Sequence, residues 1–187
     1  HSTVADKVFG RHDGEWRSRA KACGIGYLYG LGANGMSMQN GVDIGVARTF
    51  IEGMASSFTR LAEWQAETRA AAGALPFGET APVDDRYRVL INPFGRPVRV
   101  ERSRAYTQAC ALLGQSATRD GMAEALLRLP VDIRRRVKLI VHDELVFSLP
   151  RAGVEEAAEK IADSMAFNLL GVDITFGVEG YGRDWAA

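Results

Sequence analysis

Arg17-Ser-Arg-Ala-Lys21-Ala-Cys-Gly-Ile25-Gly-Tyr-Leu-Tyr29-Gly30 is the stretch around which the rest of the chain is organised. Arg17, Lys21, Ile25 and Tyr29 recur at every fourth residue. On an α-helix such residues share one face, here with two cations toward the N-terminal end and an aromatic ring at the far end. That face suits a triphosphate. The spacing predicts a helix from about Trp16 to Tyr29, with Gly30, Gly32 and Gly35 breaking it. Gly24 and Gly26 each cost about 1 kcal/mol relative to Ala inside a helix, but a glycine lets another chain or a base come close. A second reading of these glycines, a dinucleotide-cradling loop, lacks a preceding hydrophobic strand and the Gly-Lys-Ser/Thr ending of a phosphate loop.

A second stretch carries a different chemistry. In Arg136-Val-Lys-Leu-Ile-Val-His142-Asp143-Glu144-Leu-Val-Phe-Ser-Leu149, two apolar, β-rich runs meet at a polar turn of three residues. The pattern predicts a hairpin that carries His142, Asp143 and Glu144 to the rim of a buried sheet. Phosphoryl transfer to a hydroxyl uses two hard cations about 3.5–4 Å apart, held by carboxylates. A carboxylate on a rigid hairpin tip suits that task.

Composition bounds the rest. The chain has 187 residues, 47% hydrophobic and 25% charged, which fits one large globular domain or one and a half small ones. Twenty-three basic and 23 acidic residues cancel, so no whole-molecule field draws the chain to nucleic acid, and such binding must come from local patches. Cys23 and Cys110 are far apart and lack metal-ligand spacing, so they read as buried thiols in a reducing compartment. No run approaches the roughly 18 apolar residues of a membrane span. The chain begins at His1 without an initiating Met, a hint that it is cut from a longer protein.

Along the chain, Thr3 to Phe9 reads as a short helix. Asp43 is a candidate N-cap for a stripe of Ile44, Ala47, Ile51, Met54, Phe58 and Leu61, split at Ser56-Ser57 into two helices, the second reaching Ala72. Residues 73–86 read as a surface loop. Tyr87–Ile91 and Val98–Val100 then flank a Pro/Gly turn as a β-hairpin. A helix from about Arg104 to Leu129 is expected to bury Tyr106, Ala109, Cys110, Leu113, Ala117, Leu126 and Leu129. Its other side aligns Arg104, Gln108, Ala111, Gln115 and Arg119, either an ordinary solvated face or a rail along the minor groove, where a Gln donor can check pairing without reading sequence. Arg134-Arg135-Arg136 reads as a solvated turn or a phosphate-contacting patch and is not assigned to the site. Val154, Ala158, Ile161, Met165 and Leu169 give an amphipathic helix, with a strand expected from Val172 to Val178.

The first stretch resembles the fingers motif of family A DNA polymerases at Arg17, Lys21, Gly26, Tyr29 and Gly30, with Ile25 where the family has an aromatic residue. Val141-His-Asp-Glu-Leu-Val-Phe147 is similar, residue for residue, to that family's palm motif C. Phe94-Gly95-Arg96 matches its Phe-Gly-Arg turn, and Gln115 stands at the Gln of its primer-template helix, where an Arg and an Asn are replaced by Thr107 and Ala111. His1 falls at a phosphate-touching His of the family, or is a frayed terminal residue. Gly180-Tyr-Gly-Arg-Asp-Trp185 resembles the family's closing segment.

The resemblance implies an α+β fold in which a helical fingers lobe packs with an antiparallel palm sheet, helices on one side. Its divisions are an entry segment at 1–14, fingers helices at 15–75, a loop and hairpin at 76–103, and palm at 104–187. It implies template-directed transfer of a dNTP to a primer 3′ end with two magnesium ions. His1, Arg17, Lys21, Ile25 and Tyr29 would bind the nucleotide, and Lys21, Asp143 and Glu144 would be catalytic. Asp143 and Glu144 would hold metal, and Tyr29, Gly30, Arg104, Gln115 and His142 would contact primer-template DNA. Ile25 implies altered sugar discrimination.

The family's other metal-binding Asp, in an Asp-x-Ser-x-x-Glu motif, has no counterpart in these residues. The chain alone is therefore expected to have little activity and to need the missing N-terminal part of the same polymerase, in the cytoplasm of a bacterium or phage-infected cell. Two other classes stay open: a non-catalytic primer-template-binding module derived from a polymerase, and an unrelated metal-dependent phosphoesterase, for which His1 and His12 are poor additional ligands.

Overall fold

The computed structural model describes residues 1–11, 13–76 and 78–183. His12, and Asp184 and Trp185 of the closing segment, lie outside the described residues. The chain divides into two compact units, one made of His1–Ile91 with Pro97–Gly114, the other of Asn92–Arg96 with the chain from Gln115 onward. Among the described residues no helix is long and apolar enough to cross a membrane.

The first unit begins with five helices, α1 (Ser2–Phe9), α2 (Gly14–Leu28), α3 (Ala33–Asn40), α4 (Ile44–Ser57) and α5 (Thr59–Ala71). α2 starts where it does because the Asp13 carboxylate accepts the Trp16 N–H at 3.2 Å. Asp43 caps α4 as the sequence predicts, accepting from Gly45 N at 2.7 Å and Val46 N at 3.4 Å. Caps of this kind stabilise a helix by about 1 kcal/mol. Phe58, at φ −126°, ends α4 at the predicted Ser-Ser split. The core gathers Ala5 of α1, Ala20, Cys23 and Tyr27 of α2, Met36 of α3, and Ala47, Phe50 and Met54 of α4. Phe50 is fully buried and meets Tyr27 edge-on at 6.4 Å and Phe9 at 5.6 Å between ring centres.

One predicted helix breaker behaves otherwise. The chain breaks at Gly30–Gly32, but Gly35 lies inside α3, where a Cβ would stand 3.1 Å from Leu31 Cδ2. The close seat of Leu31 against α3 offsets the low helix propensity of glycine.

Beyond α5, β1 (Tyr87–Ile91) and β2 (Pro97–Glu101) pair antiparallel with Val89 opposite Arg99. Their inner residues Leu90, Val98 and Val100 pack with Ala72 and with Ala105 and Ala109 at the start of α6 (Ala105–Arg128). Ion pairs tie the ends of the hairpin: Asp85 bonds both Arg88 and Arg102, and Arg86 meets Glu101 at 2.8 Å.

The second unit contains the hairpin tip, the remainder of α6, α7 (Val131–Arg134), β3 (Val137–Val141), β4 (Glu144–Phe147), α8 (Val154–Met165), β5 (Phe167–Leu169) and β6 (Val172–Ile174). Ala125, Leu129, Ile161, Met165 and Phe167 form its core, with Phe94, Leu145 and Phe147 packed against it. The fold is α+β, as the sequence implies, but the strands among the described residues form three separate two-stranded antiparallel sheets. The long C-terminal strand is also shorter than expected. It stops at Ile174 and pairs with β5 through a Leu170-Gly171 turn with φ of 52° and 87°. Two successive positive φ values are the mark of a tight hairpin turn matched to strand twist.

Candidate active site

The face of α2 that the spacing singled out is the one left outside the core. Arg17 and Lys21 are exposed, and Ile25 and Tyr29 are 48% and 41% exposed, while Ala20, Cys23 and Tyr27 are buried on the other side. The helix also sorts its cations. Arg19 is held by Glu15 at 2.6 Å and stacks 4.8 Å from the Trp16 ring centre. Arg17 and Lys21 form no ion pair among the described residues, so their charge is directed to solvent. His1 is exposed at the start of α1 and its side chain makes no capping bond.

The end of α2 is fixed by polar contacts. Gln65 of α5, almost wholly buried, donates to the Tyr27 carbonyl at 3.0 Å. The Cys110 thiol of α6 lies 3.9 Å from the Gln65 carbonyl, and Arg69 of α5 donates to the Tyr106 carbonyl at 3.0 Å. Burial pushes the Cys23 and Cys110 thiols up from their ordinary pKa, which keeps them neutral; both are free. Gly30 sits at φ +77°, and a Cβ there would stand 3.0 Å from the Tyr106 carbonyl oxygen and 3.1 Å from Thr107 Cα. Gly26 is similarly spent on its own chain, 2.9 Å from Leu31 Cδ1 were it to carry a Cβ. Both glycines therefore admit protein, not a base.

In the second unit the predicted polar turn is tighter than expected. Glu144 belongs to β4 and pairs with Val141, which leaves a two-residue turn of His142 and Asp143. His142 has φ +55°, a conformation that costs a non-glycine residue about 1–2 kcal/mol. The side chains of His142, Asp143 and Glu144 are exposed and make no ion pair or hydrogen bond among the described residues. The strands beneath are not the buried sheet expected: Leu139 is 44% and Ile140 60% exposed, because the hairpin is two-stranded and Leu145 and Phe147 are the residues it packs against the core of this unit. Among the described residues no three His, Cys, Asp or Glu side chains come together to hold a metal ion.

Gln115 is exposed on α6. Arg104 precedes α6, its side chain 66% exposed and 3.6 Å from Glu101. Asp120, which the sequence reading missed, is 7% exposed one and a half turns beyond Gln115. Its two carboxylate oxygens share the single Arg96 Nε–H at 2.7 and 2.8 Å, and it accepts one bond from Asn92 Nδ2 at 2.8 Å. Asn92 Oδ1 in turn accepts from the Phe94 and Arg96 amides. The Phe-Gly-Arg turn is thus latched to the part of α6 that carries Gln115. The Arg96 guanidinium, with Asn92, holds the Asp120 carboxyl below the usual carboxylate range.

Residues 1–187 match the family model for DNA polymerase family A along their whole length. The chain belongs to this family. It is 31% identical over 195 residues to the DNA polymerase of Mycobacterium phage D29, a match that covers 100% of this chain and 30% of that protein. It is also 31% identical to the thermostable DNA polymerase I of Thermus filiformis, covering 99% of this chain and 23% of the relative. Its fold matches the POL domain of Pol1 from M. smegmatis, solved in complex with DNA primer-template and dNTP, with a TM-score of 0.76 and 25% identity over 99% of this chain and 34% of that one. The chain thus spans 23–34% of the length of these proteins. Family A polymerases act on DNA with divalent metal ions.

Proposed function

We propose that this chain supplies the nucleotide-binding helix, the metal-binding hairpin and part of the primer-template surface of a template-directed DNA polymerase. The observation that carries the reading is the sorting of cations on α2: Arg19 is neutralised by Glu15, while Arg17 and Lys21, with no ion pair among the described residues, stand on the exposed face with Ile25 and Tyr29. In this reading Arg17 and Lys21 meet the triphosphate, and Lys21 offsets the charge that builds on the leaving pyrophosphate. Charge-assisted contacts of this type are strong because both partners are ionised. Ile25 offers the sugar an aliphatic surface. Tyr29 packs beside the nascent or template base, and His1 adds a contact to the phosphates. Gly30 contributes indirectly, by letting the backbone of α6 close on the end of α2.

Asp143 and Glu144 fit a hard divalent cation in donor type, since their carboxylates are exposed and engaged by no other side chain among the described residues. Magnesium bound there would neutralise the transferring phosphate and lower the pKa of the primer hydroxyl. His142 orients the primer end, and Gln115 and Arg104 contact the duplex. The remaining carboxylate of a two-metal site would come from another part of the polymerase, outside these residues. The reading carries with it the division into an entry segment, fingers, hairpin and palm, and an intracellular setting.

The test is magnesium-dependent primer extension, comparing this chain, the chain joined to a family A upstream segment bearing the Asp-x-Ser-x-x-Glu motif, and the joined form with Asp143→Ala. Extension by the joined form that falls at least about 10²-fold with Asp143→Ala is the expected result. Primer-template binding without extension in any form would instead favour the non-catalytic module.

A further inference from the structure

The α6 pattern places Tyr106 in the buried stripe, yet the residue is 57% exposed. The ring is nonetheless held. The Arg69 guanidinium carbon lies 4.4 Å from its centre while Arg69 Nε donates to the carbonyl of the same residue at 3.0 Å. One half-buried side chain on α5 therefore fixes both the backbone and the ring of Tyr106. Arg69 makes no ion pair among the described residues, so its charge is not cancelled. Close packing of Gly30 against Tyr106 and Thr107 brings exposed Tyr29 to the same corner, and Arg104 lies two residues before Tyr106.

We propose that Tyr106, braced by Arg69, is a stacking platform for an unpaired base in the single-stranded 5′ overhang of a template. The inference rests on the reading above that the chain binds primer-template. A base inside a duplex already has both faces covered by its neighbours, whereas an unpaired base has a face to offer. An exposed ring whose rotation is restrained loses little freedom on stacking, and base–aromatic stacking tolerates any sequence. The uncancelled guanidinium of Arg69 and the exposed one of Arg104 complement the phosphates that flank such a base. Aromatic, cation and exposure coincide at this corner, and a nucleic-acid strand is the partner class that uses all three.

The test uses the 187-residue chain and two DNA probes of the same duplex, one blunt and one with a 5′ overhang carrying 2-aminopurine at the second unpaired position, beyond the base given to Tyr29. Binding is read by anisotropy at fixed salt, and stacking by quenching of 2-aminopurine. Wild type is expected to bind the overhang more tightly than the blunt duplex and to quench the probe. Tyr106→Ala should weaken overhang binding by about 5- to 100-fold, abolish quenching and leave blunt binding unchanged, whereas Tyr106→Phe should behave as wild type. Tyr106→Ala with wild-type overhang affinity and quenching would overturn the platform while leaving the polymerase reading intact. Wild type that binds neither probe would overturn both.

Discussion

The two regions that present charge to solvent are held in different ways. α2 is one wall of a closed helical core, with Ala20, Cys23 and Tyr27 buried against Phe50 and Met36, and Arg17 and Lys21 take their direction from that burial. The β3–β4 hairpin presents Asp143 and Glu144 from two short strands, one of which leaves Leu139 and Ile140 substantially exposed, through a turn with His142 at positive φ. Burial sets the aim of the cations; strand pairing and turn geometry set the aim of the carboxylates. The first kind of support is cooperative and hydrophobic, the second local and hydrogen-bonded.

The strongest way to break this contrast is Phe50→Ala. Removing a fully buried ring should destabilise the first unit by about 3–5 kcal/mol, measured by urea unfolding, with hydrogen exchange accelerated in α2 and unchanged in β3–β4. Equal acceleration in both would show that the two supports are not separate. A smaller effect is expected at the latch beneath Gln115. Because the Asp120 carboxyl is held below its usual range by Arg96 and Asn92, the stability it adds is fully present above about pH 4, the ordinary carboxylate value, and is lost as pH falls through its folded value. Asp120→Asn should therefore lower the melting temperature at pH 7, and the gap from wild type should shrink below about pH 4. A gap that is constant with pH would mean that packing, not charge, holds the latch. The smallest change is expected at the β5–β6 turn, where Leu170→Asn should raise stability by up to about 1 kcal/mol, since Asn adopts positive φ more readily than Leu.

Much of the helical unit was legible because its signals are local. The four-residue spacing on α2 and the Asp43 cap each depend on neighbours within one turn, and both appear where the pattern puts them. The failures involve partners far along the chain. Tyr106 sits in an apolar-looking stripe, but its fate is decided by Arg69, 37 residues away. Asp120 looks like any solvated helical acid until Arg96, 24 residues before it, closes on it. The Gly35 misreading has the same origin, since propensity marks the residue as a breaker while packing by Leu31 keeps it in α3. In the hairpin, the apolar runs predicted strands correctly, but β propensity is silent on whether further strands cover them. The assignments of His1, Ile25, Gln115 and His142 to nucleotide or DNA rest on the family resemblance, with their exposure as the support that the fold adds.

The Gly30 corner also has a kinematic side. The Tyr27 carbonyl is tied to Gln65, Gln65 lies against Cys110, and Arg69 holds Tyr106, so α2, α5 and the first turns of α6 are joined by short links of 3.0, 3.9 and 3.0 Å. A hinge needs slack, and Gly30, where even an added Cβ would stand only 3.0 Å from the Tyr106 carbonyl oxygen, has little. Any swing of the cationic face must therefore carry these three segments together, as one lever rather than as a helix turning on its own.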